Sequence, residues 1–285
     1  MTLTTQDTNS SWKKLLLPGL ACAALLAWVY VPTFEWMVDR WSVRDSYYGH
    51  GFLIPLVSLF WIWQKRAELG KVEPQASSWG FPVLIAAAFV QVFSAIFRVY
   101  FLSAFSFILM LTAAVLLLGG LRVLKLIWFP VFFLTLMVPL PLLMISEITL
   151  KMKFLVTEMA VYSLNAIGLH SQRQGSYLML PNAVLLVGDP CSGLRSFLSF
   201  LCLGLVFAYG GKTSLPGKLI LAFAGLPLAI LSNLLRVFSL GIIAEIYGQE
   251  AASGKVHDAS GIVVFIIAFC VFMKIRQKLE ARSEV

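Results

Sequence analysis

The chain has 285 residues, of which 59% are apolar and 13% are charged, and its net charge is +8. Soluble globular domains carry roughly a quarter charged residues, so this composition excludes a soluble globular protein. The positive balance is typical of Lys and Arg in the cytoplasmic loops of a membrane protein and does not indicate nucleic-acid binding.

Apolar runs recur along the sequence, each long enough to cross a hydrocarbon core about 30 Å thick. A bilayer tolerates only helices and closed barrels, and these runs lack the alternation of barrel strands. The sequence therefore predicts an all-α polytopic bundle of about eight transmembrane helices. In chain order the predicted spans are Leu15–Phe34, Gly49–Trp63, Phe81–Phe97, Tyr100–Leu118, Leu126–Met144, Ser192–Tyr209, Leu219–Leu240 and Ser260–Met273.

The first apolar run follows Lys13 and Lys14 but precedes no small-x-small cleavage site. It is interpreted as an uncleaved first membrane helix rather than a signal peptide. Residues 1–285 are predicted to form a single integral-membrane domain, with tails at residues 1–13 and 275–285.

The segment between the fifth and sixth predicted spans is more polar. Residues 145–170 carry charged side chains spaced among apolar ones, a pattern typical of a helix lying in the membrane interface. Residues 176–188 are aliphatic and are interrupted by Pro181-Asn182, which predicts a short hairpin.

The distribution of Lys and Arg predicts that both termini and both tails lie in the cytoplasm. At 1.5 Å per residue, Arg195, Arg236 and His257 each lie about 26–27 Å along their helices from the nearest cytoplasmic lysine. Cys191 lies one turn further out. The outer ends of three successive spans are thus predicted to bring a thiol, two guanidinium groups and an imidazole to the outer face of a bacterial inner membrane.

The residues around Cys191 favour a reactive thiol. Asp189 is predicted to be the N-cap of a helix and Pro190 its first residue, which places Cys191 in the first turn. Arg195, four residues on, is expected on the same side. A helix N-terminus and a nearby cation both lower the pKa of a thiol, so a thiolate is expected.

Arg236 lies inside an apolar run, where a permanent charge is costly unless it faces a cavity or a partner. Asn233 shares its helix face. A fixed donor at this position stabilises a developing oxyanion, and an imidazole such as that of His257 can hold or return a proton. A thiol, an imidazole and a fixed donor together indicate cysteine acyl transfer.

Each of these residues also has a simpler interpretation. A lone Cys in a membrane helix is usually structural, and the four cysteines, Cys22, Cys191, Cys202 and Cys270, have no metal-binding or redox spacing. Arg195 alone is typical of a side chain that snorkels to the interface, and His257 alone of a solvated loop. The four residues Cys191, Arg195, Arg236 and His257 are predicted to lie near one depth, and this agreement outweighs the simpler interpretation of each residue alone.

Three blocks resemble the exosortase/archaeosortase family of membrane cysteine transpeptidases: Cys191-Ser192-Gly193-Leu194-Arg195, Asn233-Leu234-Leu235-Arg236-Val237, and His257 followed by Gly261. Leu180-Pro181-Asn182 fits as well. A further N-terminal block is similar, at Asp45, Tyr48, His50, Gly51, Phe52, Leu53, Ile54 and Pro55. Two positions depart from the family pattern, because Gly49 stands where Ser is usual and Pro190 where Ala is common.

The resemblance implies that the chain cleaves exported proteins that end in a sorting signal, which is a short motif, a transmembrane helix and a basic tail. It implies that Cys191 is the nucleophile, Arg236 orients the substrate carbonyl or stabilises the oxyanion, and His257 is the acid/base. Arg195 belongs to the motif, and His50 is expected to be structural or substrate-facing. No cofactor or metal is implied, and membrane lipid and the exported substrate are the expected partners.

Two alternatives from other classes stay open at this point. One is a transporter or channel with Arg236 and His257 as its polar site. Such sites usually lie near the bilayer midplane, between internal repeats, whereas here the polar groups gather at one face. The other is a non-catalytic subunit of an exopolysaccharide or envelope assembly system, in which Cys191 is dispensable.

Overall fold

The computed structural model describes residues 4–43 and 46–283, and it is built almost entirely of α-helices. The chain divides into two compact units, Met1–Leu140 and Pro141–Val285. The predicted all-α polytopic class is confirmed.

The first unit consists of seven α-helices and two short 3-10 turns within its described residues. The helices are α1 (Thr4–Val29), α2 (Val31–Ser42), α3 (Leu53–Gln64), α4 (Arg66–Leu69), α5 (Gly80–Phe97), α6 (Tyr100–Leu118) and α7 (Gly120–Phe133), and the turns are Gly49–Phe52 and Leu134–Met137. Pro32 lacks the amide hydrogen that would continue the helical ladder, which accounts for the break between α1 and α2.

A network of polar side chains ties α2, α5 and α6 together. The Tyr30 hydroxyl lies 2.8 Å from Ser106 Oγ, and the Thr33 hydroxyl lies 2.6 Å from Ser103 Oγ. Both serines also donate to Gln91 Oε1, at 2.7 and 2.9 Å. Buried hydroxyls without partners are costly, so the network satisfies the polar groups that these apolar helices carry.

Up to residue 283, the second unit contains five α-helices and a small antiparallel sheet. Its elements are α8 (Leu142–Ala166), β1 (Gln172–Gln174), β2 (Tyr177–Met179), β3 (Val184–Leu186), a 3-10 turn (Asp189–Cys191), α9 (Leu194–Gly210), α10 (Leu215–Phe223), α11 (Gly225–Tyr247) and α12 (Gly254–Ala281). The sheet order is β1-β2-β3.

The core of the second unit seats the sheet on α8 and α11. Leu178 of β2 is fully buried among Leu164 of α8 and Leu240 of α11. Cys191 belongs to the same apolar cluster. The turn of the β2–β3 hairpin is held by Glu245 of α11, which accepts hydrogen bonds from the backbone N–H of Asn182 (3.1 Å) and from its side-chain amide (2.6 Å).

Within residues 4–43 and 46–283, five helical segments have the length and apolar character needed to cross a membrane. They are Gly80–Phe97, Tyr100–Leu118, Gly120–Met137, Leu215–Tyr247 and Gly254–Ala281; the pair Lys14–Val29 and Val31–Ser42, bent by 64°, gives a sixth if it forms one span. The sequence predicted about eight. The difference arises at the predicted spans Gly49–Trp63 and Ser192–Tyr209, where α3 has 12 residues and α9 has 17.

The connection between α7 and α9 follows the predicted pattern with one addition. Residues 145–170 fall mainly on α8, although its placement in the interface stays a prediction. The predicted hairpin at residues 176–188 is present as β2 and β3. A third strand, β1, pairs with β2 and was not predicted, because QRQ carries no apolar alternation.

Candidate active site

Cys191 lies in a short 3-10 turn and not on an α-helix. The backbone N–H of Cys191 donates to Gly188 O at 3.0 Å, and that of Ser192 donates to Asp189 O at 3.0 Å. Gly193 then adopts a left-handed conformation, with φ of 77°, and α9 begins at Leu194. The prediction that Cys191 occupies the first turn of a helix is therefore wrong.

Two further parts of that prediction fail for the same reason. Asp189 makes no side-chain capping bond; it pairs with Lys153 of α8 at 2.8 Å. Arg195 lies in the first turn of α9 and is exposed, and Gly193 interrupts the helix between it and Cys191. The four-residue spacing consequently does not place Arg195 and Cys191 on one helix face.

Gly193 allows the cysteine turn to approach α11 closely. A Cβ at this position would lie 3.2 Å from Asn233 Cβ and 3.4 Å from the carbonyl oxygen of Ala229. The positive φ also disfavours any residue other than glycine. The close approach lets the buried side-chain amide of Asn233 donate to the carbonyl oxygen of Cys191, which fixes the turn to α11.

The thiol of Cys191 lies within hydrogen-bond distance of the imidazole of His257. Sγ and Nε2 are 3.0 Å apart, and Cys191 is only 3% exposed. Helix α12 begins at Gly254, six residues before the predicted span, so His257 lies in its first turn and not in a loop. The predicted depth of His257 requires α12 to extend back to this residue, and α12 does so.

Arg236 of α11 contacts both the ring and the backbone of His257. Its Nη2 donates to the carbonyl oxygen of His257 at 2.9 Å and lies 3.2 Å from each ring nitrogen. A Cβ at Gly261, one turn after His257, would lie 3.0 Å from Arg236 Cζ, so a glycine gives the guanidinium its space. In the Asn-x-x-Arg block, Asn233 thus contacts Cys191 and Arg236 contacts His257. In the His-x-x-x-Gly block, Gly261 leaves room for Arg236.

Asp258 is a site residue that sequence reasoning missed, although it directly follows His257. Its carboxylate oxygen lies 3.3 Å from His257 Nδ1 and its side chain is 78% exposed. An ionised carboxylate only accepts hydrogen bonds, so it favours the tautomer with a proton on Nδ1. Nε2, facing Cys191, is then left to accept the thiol proton.

The electrostatics of the thiol differ from the sequence prediction. Burial raises the pKa of Cys191, and the positive charge of Arg236 opposes this rise without cancelling it. The expected lowering by a helix N-terminus is not found, because Cys191 precedes α9. A buried thiol whose pKa is raised needs a base within hydrogen-bond distance, and Nε2 of His257 is at that distance.

The remaining predicted residues belong to the first unit. His50 lies in the 3-10 turn Gly49–Phe52, where its ring hydrogen-bonds to the backbone of Leu136 and contacts Tyr48 at 5.8 Å between centroids. The Tyr48 hydroxyl accepts from Leu140 N–H at 3.2 Å. Whether His50 is structural or faces the substrate stays a prediction. Asp45, of the same block, lies outside the described residues.

A family model described as transmembrane exosortase matches residues 41–274. The matched range includes Cys191, Asn233, Arg236 and His257, and it covers well over half of the chain. No match was found among the curated proteins, and none among the solved structures.

Proposed function

Because the chain belongs to the transmembrane exosortase family, we propose that it is a membrane-embedded cysteine protease or transpeptidase that acts on exported proteins. Its substrates carry a C-terminal sorting signal composed of a short motif, a transmembrane helix and a basic tail. The observation that carries the proposal is the 3.0 Å contact between Cys191 Sγ and His257 Nε2, with Arg236 bound to the same histidine.

In the first step His257 acts as the base. The Cys191 sulfur attacks the carbonyl carbon of the scissile peptide bond while Nε2 of His257 takes the thiol proton. Because burial raises the pKa of the Cys191 thiol, the transfer of its proton to His257 accompanies the attack. The C–N bond then breaks, His257 returns the proton to the leaving amine, and the released fragment is the tail helix with its basic end.

The second step consumes the thioester on Cys191. An acceptor amine attacks the thioester carbonyl, its proton passes to Nε2 of His257, and the sulfur leaves as a thiolate that regains the proton. Water in place of the amine gives hydrolysis by the same route. Neither step requires a redox change or a cofactor, because the thiol and imidazole supply the nucleophile and the proton.

Arg236 and Asn233 have separate roles in this mechanism. The guanidinium of Arg236 orients the substrate carbonyl or stabilises the oxyanion of the tetrahedral intermediate, and it keeps a permanent positive charge beside a developing negative one. Asn233 is a positioning residue, because its amide is bonded to the Cys191 carbonyl. Asp258 selects the His257 tautomer.

The membrane arrangement completes the proposal. The chain is a multi-pass membrane protein, and we place it in the bacterial inner membrane with both termini cytoplasmic and the cysteine turn at the outer face. A substrate helix in the same bilayer presents its motif at that face and leaves its basic tail inside, by the same charge bias. The substrate and the surrounding lipid are the partners; nucleic acid is not.

The test uses a reporter, which is an exported protein with such a tail from the organism that encodes this chain. The reporter is co-expressed with the wild type, with Cys191→Ala or with the matched control Cys202→Ala, and tail release is followed on a gel. We expect release with the wild type and the control, and none with Cys191→Ala. Unchanged release with Cys191→Ala would rule out the thioester mechanism.

A further inference from the structure

In the part of the chain that the structure describes, the third strand of the sheet has an unpaired edge that leads directly to the cysteine turn. β3 pairs with β2 on one side only, because the strand order is β1-β2-β3. Cys191 follows Leu186, the last residue of β3, by five positions. The edge and the thiol therefore lie next to each other along the chain, within the same unit.

The hydrogen-bond register shows which backbone groups this edge presents. Two hydrogen-bonded pairs flank β3: Leu180 with Ala183 at 2.8 Å, and Val187 with Ser176 at 2.9 Å. Bonded and non-bonded pairs alternate in an antiparallel ladder, so Val184 and Leu186 direct their N–H and C=O groups away from β2. Among residues 4–43 and 46–283, nothing hydrogen-bonds to those outward groups.

A cleft of about 750 Å³ opens where β3 leaves the sheet. Leu186 and Tyr177, which face each other across the two strands and are 54% and 46% exposed, contribute apolar surface to it. The ion pair between Lys153 and Asp189 forms another part of its wall. Gln174, Gly175 and Ser176 at the β1–β2 turn line the rest of its wall, together with Val187 and Gly188. The cleft thus places apolar, polar and charged surface beside the end of the β3 edge.

We propose that the substrate binds as an added β-strand on the outer edge of β3, with its neighbouring residues in this cleft. The inference rests on the proposed function and names how its substrate is held. Main-chain hydrogen bonds to Val184 and Leu186 supply affinity for any extended segment, and the cleft supplies side-chain preference. A strand on this edge runs beside the segment that leads from Leu186 to Cys191, five positions further along the chain.

This mode of binding explains why the hairpin is anchored so firmly. The turn is fixed by the two hydrogen bonds of Asn182 to Glu245, and the exit of β3 is fixed by the Lys153–Asp189 ion pair and by Asn233. An added strand inherits the register of the strand it joins. A β3 strand held at both ends therefore sets which substrate carbonyl arrives at Cys191.

The test is photo-cross-linking in the full-length Cys191→Ala protein in cell membranes, with the reporter co-expressed. A benzophenone amino acid replaces Leu186 at the outer edge of β3 or, as the matched control, Gln172 on the opposite edge strand β1. We expect an adduct with the reporter from position 186 at least fivefold above that from position 172. Equal yields from the two edges, or no adduct from β3, would overturn the inference.

A second variant separates backbone pairing from side-chain contact. Val184→Pro removes an outward amide hydrogen at the first residue of a strand, a position where proline is tolerated, whereas Val184→Ala keeps that hydrogen. The proline variant should lower the adduct from position 186 several-fold more than the alanine variant; equal effects would contradict pairing. Because these measurements use a protein without its thiol, tail release by the wild type independently decides the proposed function.

Discussion

Replacing Gly193 by alanine tests whether the close approach of the cysteine turn to α11 matters for chemistry. The left-handed conformation costs an alanine roughly 1–2 kcal/mol. Its Cβ would also lie 3.2 Å from Asn233 Cβ, so the turn must move by a few tenths of an ångström. A misplacement of 1 Å at a reacting group costs about 100-fold in rate. A shift of a few tenths of an ångström therefore predicts a loss of about five- to tenfold in tail release.

Gly168→Ala is the matched control for this prediction. Gly168 has φ of 88°, follows α8 in the same unit, and has no atom within 4 Å of the position of an added Cβ. The Gly168→Ala substitution therefore has the conformational cost of an alanine at positive φ but no close contact like that with Asn233. Tail release per folded protein, measured on the reporter after quantifying each variant by size-exclusion chromatography, should fall for Gly193→Ala only. Equal losses would mean that strain, and not the contact with Asn233, explains the effect.

Three further predictions concern the same turn. His257→Ala should abolish tail release and slow iodoacetamide alkylation of Cys191, measured by peptide mass spectrometry; alkylation as fast as in the wild type would contradict the role of His257 as base. Burial raises the pKa of Cys191, and the positive charge of Arg236 opposes the rise. Arg236→Ala should therefore move the pH midpoint of Cys191 alkylation upward, and Arg236→Lys, which keeps the charge, should move it less. A midpoint at lower pH in Arg236→Ala would contradict this sign. Lys153→Ala should reduce tail release about two- to fivefold through loss of the pair with Asp189, and Lys153→Arg should restore it; no rescue would show that charge is not the cause.

The helical class and the site cluster were predictable because both leave strong signals in the sequence. Apolar runs of membrane length admit few structures, and a permanent charge such as Arg236 inside one of them needs a partner. The equal depths of Arg236 and His257 anticipated their contact, which the structure places at 2.9 Å between Nη2 and the His257 carbonyl oxygen.

The local structure at Cys191 was not predictable by the same reasoning. Asp-Pro at the start of an apolar run is a common helix start, but Gly193 can adopt a conformation that other residues avoid, and this moved the start of α9 to Leu194. Whether a glycine uses that freedom depends on tertiary contacts, here with Asn233. Because α9 starts after Cys191, the helix N-terminus does not lower the pKa of the thiol, and burial raises it.

The most direct test of the central claim is the identity of the residue that carries the substrate during the reaction. Wild-type membranes would be mixed with the reporter and quenched in acid, and the covalent adduct would be mapped by mass spectrometry. We predict a hydroxylamine-sensitive bond between the shortened reporter and Cys191. An adduct on any other residue, or tail release from membranes in which Cys191 is fully alkylated, would contradict the account.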